Sequence, residues 1–171
     1  MMATAWEPVD TLEAQDEAVE ETQVPRLLAS LVCDDVAVSE RDSRVTLQRV
    51  GQDIYADDFP AKLERLAIVN VWSGGLGTFT VAARVRAPAN GEEDLGPAIA
   101  YGDATMEFHP LKVTNIHLLT LGPADLPQRG LYTVEVLLDG YVVHAYNIVA
   151  ILDQLETDEE EAPTGAIREG V

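Results

Sequence analysis

LYTVEVLLDGYVVHAYNIVAIL (residues 131–152) is the stretch that best indicates how this chain folds. It holds two apolar, β-branched runs joined by Asp139 and Gly140, a residue pair that readily adopts the positive φ angles of a type I′ hairpin turn. The first run alternates in the manner of a half-buried strand, and its predicted inner face is Tyr132, Val134, Val136 and Leu138. The stretch therefore predicts a β-hairpin.

In the second run of this hairpin, both the odd-numbered and the even-numbered positions carry apolar residues. Its predicted faces are Val142, Tyr146 and Ile148 on one side and Val143, Val149 and Ile151 on the other. A strand that is apolar on both faces is either central in a sheet or pairs with something else. The predicted interaction surface, for a protein partner or for self-association, is Tyr141, Val142, His144, Tyr146 and Ile148.

GTFTVAARVRAP (residues 77–88) shows the same two-residue period. The residues predicted to point to its buried face are Phe79, Val81, Ala83, Val85 and Ala87. Further strands are predicted over residues 27–33, 44–50, 66–72, 99–108 and 113–121. One-sided strands bury their apolar faces against each other, so the pattern predicts an all-β fold, an immunoglobulin-like or related antiparallel β-sandwich of about seven to nine strands.

Two glycine-containing segments refine this prediction. Gly74, Gly75 and Gly77 are interpreted as a hairpin connection between the strands on either side, because no helix follows them that could hold a phosphate at its N-terminus. Gly130 lies two residues before Tyr132, as in the tyrosine corner of immunoglobulin-like domains. The sequence leaves the hydrogen-bond partner of that tyrosine open.

The formal charge of −19 is concentrated at the two ends, which hold 14 of the 30 acidic residues and one of the 11 basic ones. We therefore predict disordered acidic tails over residues 1–23 and 153–171 around a β-sandwich domain at residues 24–152. Such a charge disfavours nucleic acid and anionic membranes as partners. The absence of a secretory signal pattern and the single Cys33 predict a cytoplasmic protein.

The run LVCDDV (residues 31–36) places Cys33 before two aspartates. Neighbouring carboxylates raise the pKa of a thiol, so Cys33 is predicted to pack in the core and not to react. The sharper alternative is a calcium- or carbohydrate-dependent recognition domain, whose metal ligands are predicted from an aspartate-rich loop rim: Asp34, Asp35, Asp57 and Asp58.

Catalytic patterns are lacking in the sequence. The histidines His109, His117 and His144 have no motif spacing for zinc, and no serine or cysteine lies in a nucleophile turn. The sequence therefore predicts no enzyme activity and no cofactor. The function it favours is a non-enzymatic protein-interaction or assembly module.

Three motifs resemble an uncharacterised bacterial β-sandwich family: a strand ending in Cys-Asp-Asp-Val (residues 31–36), a following strand that ends in Val-Gly (residues 45–51), and an FPA-x-L-x-x-L turn (residues 59–66). The resemblance extends over residues 26–151. It implies a compact sandwich and assigns no catalytic residue.

Overall fold

The computed structural model describes residues 22–42, 44–89, 95–109 and 114–153. Nearly all of the two predicted acidic tails therefore lies outside the described residues. The described residues form eleven strands and contain no helix, so the chain is all-β, as predicted. The strands are β1 (Arg26–Val38), β2 (Val45–Val50), β3 (Asp53–Ala56), β4 (Ala61–Leu63), β5 (Leu66–Ser73), β6 (Gly77–Arg86), β7 (Ala98–Phe108), β8 (Thr114–Leu121), β9 (Ala124–Leu126), β10 (Gly130–Leu138) and β11 (Tyr141–Leu152).

Most of these strands belong to two sheets. Sheet 1 has the order β2-β1-β5-β8, and sheet 2 has the order β3-β11-β10-β6-β7. A small third sheet pairs β4 with β9. All pairs are antiparallel except that between β3 and β11, which is parallel.

The core lies between sheets 1 and 2. Its largest cluster takes Val32, Ile68 and Leu119 from sheet 1, and side chains such as Val85 and Val134 from sheet 2. The predicted inner faces are confirmed, because Phe79, Val81, Ala83, Val85 and Ala87 are all buried, as are Tyr132, Val134, Val136 and Leu138. Alternating apolar residues thus bury one side of each strand, and this burial is the main driving force for the fold.

A second, more aromatic cluster fills one end of this core. Trp72 and Phe79 each contact Phe108 edge to face, with ring centroids 6.4 Å and 5.7 Å apart. Such edge-to-face pairs add to the stabilisation that comes from burying the rings. Val81, Val136 and Leu138 complete the cluster.

The predicted hairpin turn is confirmed. Asp139 and Gly140 have φ angles of 49° and 84°, both positive as a type I′ turn requires. The turn is also fastened to β6, since the N–H of Asp139 donates to the Thr80 carbonyl (2.8 Å) and the N–H of Thr80 donates to Asp139 Oδ1 (2.7 Å). The tip of the β10–β11 hairpin is therefore held by a third strand.

Tyr132 forms a corner of the predicted kind. Its fully buried phenol donates a hydrogen bond of 2.6 Å to the carbonyl of Gln128, four residues upstream. The partner that the sequence left open is thus a backbone carbonyl. The bond links the start of β10 to the segment that follows β9.

The interpretation of the Gly74 to Gly77 segment as a hairpin connection is wrong. β5 pairs with β1 and β8 in sheet 1, whereas β6 lies in sheet 2, so this segment carries the chain from one sheet to the other. The crossing is close: a Cβ on Gly75 would lie 2.9 Å from the Cβ of Pro25 and 3.1 Å from that of Phe108. Only glycine fits there without displacing its neighbours.

Candidate functional site: a free strand edge and its groove

The edge of β11 that faces away from β10 is paired with another strand only near its end. β10 pairs with it along almost its whole length, but on the other side β3 pairs only with the last residues, from Val149 to Leu152. Within the described residues, the part of β11 before Val149 has no strand on that side. An uncovered edge presents unpaired backbone N–H and C=O groups.

The hydrogen bonds to β3 show which residues face this open side. The N–H of Val149 donates to the Gln52 carbonyl (2.7 Å), and the N–H of Asp153 donates to the Ala56 carbonyl (2.9 Å). Backbone groups of successive residues point to opposite sides of a strand, so those of residues two apart point to the same side. The groups of Ala145 and Asn147 therefore point away from β10, and we call residues 144–148 the free edge.

A β-bulge limits the free edge at its start. Val136 pairs with His144 and Leu137 with Val142, so Val143 is an extra residue without a partner on β10. The bulge reverses the alternation. Val142 consequently lies on the outer face with Leu137, and the prediction that it shares a face with Tyr146 and Ile148 is wrong.

The residues of the predicted interaction surface have different surroundings. Tyr141 is 78% exposed, Val142 is 46% exposed and His144 is also exposed. Tyr146 stacks on His144 at a centroid distance of 5.6 Å, and its hydroxyl is 3.1 Å from the Ser30 hydroxyl oxygen, a hydrogen bond across the two sheets. Ile148 is 1% exposed and belongs to the core, and Tyr146 is only partly exposed, so Tyr141, Val142 and His144 are the most accessible to a partner.

A groove of about 430 Å³ adjoins the free edge on the outer face of sheet 2. We call it the edge groove, and its lining residues are Ala87, Pro88, Ala89, Leu95, Leu131, Thr133, Ala145, Tyr146 and Asn147. None of them is charged. Leu95 and Leu131 are 42% and 58% exposed, although both are apolar.

An ion triad next to the edge groove holds part of its wall. Glu135 is buried and accepts hydrogen bonds from Arg84 and from Arg86 (Nε to Oε2, 2.9 Å). Arg86 also donates to the carbonyl of Gly96 (3.2 Å), the residue after Leu95. Burial alone would raise the pKa of Glu135, but the hydrogen bonds and charges of the two arginines lower it overall. Glu135 is thus an ionised structural group.

The predicted aspartate rim does not assemble. Asp34 pairs with Arg49 (2.8 Å) and Asp35 pairs with Arg65 (2.9 Å), beside a cleft of about 720 Å³. Asp57 and Asp58 are exposed in the turn after β3. In the described part of the chain, no three acidic, histidine or cysteine side chains come close enough to share a metal ion.

Cys33 directly precedes Asp34 and Asp35 on β1 and is buried, with 1% of its surface exposed. Burial raises the pKa of its thiol, and the neighbouring Asp34 and Asp35 raise it further, which outweighs the opposing effect of Arg65. The prediction that Cys33 packs in the core is confirmed.

A row of polar side chains crosses the inner face of sheet 1. Ser30, Asn70 and His117 are register partners on β1, β5 and β8. Asn70 and His117 are 0% and 5% exposed, and their side-chain nitrogen and oxygen atoms have no hydrogen-bond partner among the described residues, which is also true of nearby Asn115. Burial lowers the pKa of His117. No sequence pattern indicated that these residues meet, since they come from strands far apart in the chain.

The part of the chain described by the structure contains no helix with the length and apolar character needed to cross a membrane.

The described residues thus form an all-β fold with one open strand edge and an uncharged groove beside it. The sequence profile of the "Family of unknown function (DUF6941)" matches residues 28–151, and the chain belongs to this family. The match agrees with the predicted resemblance to an uncharacterised family. The comparison with curated proteins found no match.

Proposed function

We propose that this protein is a non-enzymatic interaction module of the cytoplasm that binds a protein partner through the free edge of β11. The supporting observation is that backbone groups of Ala145 and Asn147 have no strand partner among the described residues, directly beside exposed apolar side chains. Extended segments bind such edges by adding a strand to the sheet. The partner is either another protein or a second copy of the chain.

The surroundings of the buried titratable groups support a role without catalysis. The carboxylate of Glu135 forms ion pairs with two arginines, and the thiol of Cys33 has a raised pKa. His117 lies in the core, where burial lowers its pKa. A catalytic acid, base or nucleophile needs a pKa near the working pH and access to substrate, and none of these three side chains combines the two.

We also propose that sheets 1 and 2 form an immunoglobulin-like β-sandwich. The core that both sheets share and the Tyr132 corner support this assignment. An experimentally determined structure of the full chain tests it through the packing angle of the sheets, which is about 30° in aligned sandwiches.

The interaction is tested with the full chain as bait in a lysate of its source organism. A double variant, Val142→Asp with His144→Asp, places two charges beside the free edge. The matched control, Leu28→Asp with Ile116→Asp, changes two exposed residues of sheet 1, which are 53% and 44% exposed. We expect the edge variant alone to lose bound protein, measured by quantitative mass spectrometry.

Light scattering on the same preparations shows whether the partner is a second copy. Capture of the same proteins in the same amounts by the wild type and the edge variant, together with an unchanged molar mass, would overturn the proposed function.

A further inference from the structure

We infer that the free edge binds a short extended segment of another protein, which pairs with Ala145 and Asn147 and inserts one apolar side chain into the edge groove. This inference rests on the proposed function and specifies its partner. It joins two features, the unpaired backbone groups and the groove beside them.

The backbone supplies the first half of the site. Ala145 and Asn147 each direct one N–H and one C=O away from β10, as the hydrogen bond from Val149 to Gln52 indicates by alternation. Both donors and both acceptors lie on one strand that is already ordered by its pairing with β10. An added strand can therefore form up to four hydrogen bonds without reorganisation of the sheet.

The ends of the free edge set the length of the segment. The bulge at Val143 closes one end, and β3 occupies the other end from Val149 onward. The residues between these points, 144–148, span about 17 Å at the rise of a β-strand. A segment of about five residues fills this opening.

A second copy of the chain fits this opening poorly. In a symmetric antiparallel pair centred on Tyr146, residue 143 of one copy would lie opposite Val149, where β3 already pairs. Pairs centred on His144 or on Ala145 avoid β3. The first places Tyr141 opposite Asn147 and the second places Val142 opposite Ile148, and in both cases the bulge puts the two side chains on different faces. The net charge of −19 on each chain also opposes self-association.

The edge groove determines the side chain that the segment presents. Its lining has no charged residue and includes the exposed Leu95 and Leu131, so an apolar side chain is desolvated there without leaving a charge unpaired. At the end of the free edge next to β3, Val149 pairs with Asp53, whose side chain is exposed. A basic residue at that end of the segment complements it.

The probe is a fluorescein-labelled peptide, Lys-Thr-Val-Leu-Val-Thr-Lys, titrated with the full chain and followed by fluorescence anisotropy. Ala145→Pro removes an N–H that faces the open side and no hydrogen bond to β10, whereas Ala145→Ser keeps the N–H. Leu131→Lys places a charge in the edge groove, and Leu28→Lys is its control at an exposed leucine of β1. Thermal melts confirm that each variant is folded.

We expect Ala145→Pro and Leu131→Lys each to weaken binding about tenfold, and Ala145→Ser and Leu28→Lys to leave it unchanged. A peptide with Asp in place of Leu, or with N-methylated backbone amides, is expected to bind at least tenfold more weakly, and this arm does not depend on the folding of any variant. Equal binding by all proteins and all peptides would overturn the inference.

A different outcome separates the inference from the proposed function. If the wild type does not bind the peptide, but the Val142→Asp, His144→Asp variant still loses its captured protein, the extended-segment inference is overturned while the interaction through this surface stands.

Discussion

Replacing Tyr132 with Phe isolates the contribution of one hydroxyl group to the stability of the fold. The ring stays in place and keeps the volume of the core, so only two hydrogen bonds with Gln128 are removed: a long one that the hydroxyl accepts from the Gln128 N–H (3.4 Å) and the short one that it donates to the Gln128 carbonyl. A net hydrogen bond contributes about 0.5 to 1.5 kcal/mol. Because the donated bond is 2.6 Å long and its tyrosine is 0% exposed, we expect a loss near the upper end, about 1.5 kcal/mol.

For a body of this size, such a loss lowers the melting temperature by about 6 °C. The control is Tyr141→Phe, which removes the same hydroxyl from a side chain that is 78% exposed and should change stability by less than about 0.5 kcal/mol. Thermal and urea unfolding, followed by tryptophan fluorescence and circular dichroism, measure both variants. Equal melting temperatures for the two variants would refute the assignment of a stabilising tyrosine corner.

Three further predictions concern the buried polar groups. Stability should decrease as the pH falls below about 4.5. The folded-state pKa of Glu135 is lower than its unfolded value, so the stability that this carboxylate contributes is lost as the pH falls through the folded pKa. Glu135→Gln should weaken this pH dependence, measured by urea unfolding at a series of pH values. Cys33 should react with a thiol reagent at the rate of global unfolding, and a fast reaction in native buffer would contradict its burial. Asn70→Leu should raise the free energy of unfolding by about 1 kcal/mol, since it removes a buried amide that has no hydrogen-bond partner in the described part of the chain. Asn147→Leu, at an exposed position, should not raise it.

The long strands could be predicted from the sequence because each carries several two-residue periods. β6 and β10 have four inward apolar residues each, enough to indicate both the strand and its buried face. The short strands β3, β4 and β9 were not predicted, since three or four residues are too few to show a period. The crossing at Gly75 was also missed, because glycines suit a hairpin and a sheet-to-sheet connection equally well.

The candidate site could be predicted only in part. The uncharged second half of the hairpin indicated a surface, and Tyr141, Val142 and His144 are accessible. The bulge at Val143 depends on the register with β10, which no local pattern specifies. The edge groove joins segments that are distant in the chain, so its existence follows only from the assembled sheet.

The short parallel pairing of β3 with β11 has a consequence for how the chain behaves at high concentration. An uncharged, β-branched strand of twelve residues would otherwise resemble the segments that stack into amyloid fibrils, which are commonly six or seven residues long. β3 and the bulge leave only five of these residues open on that side. The open stretch is therefore shorter than such a template, yet it matches the five-residue segment that we propose as its ligand.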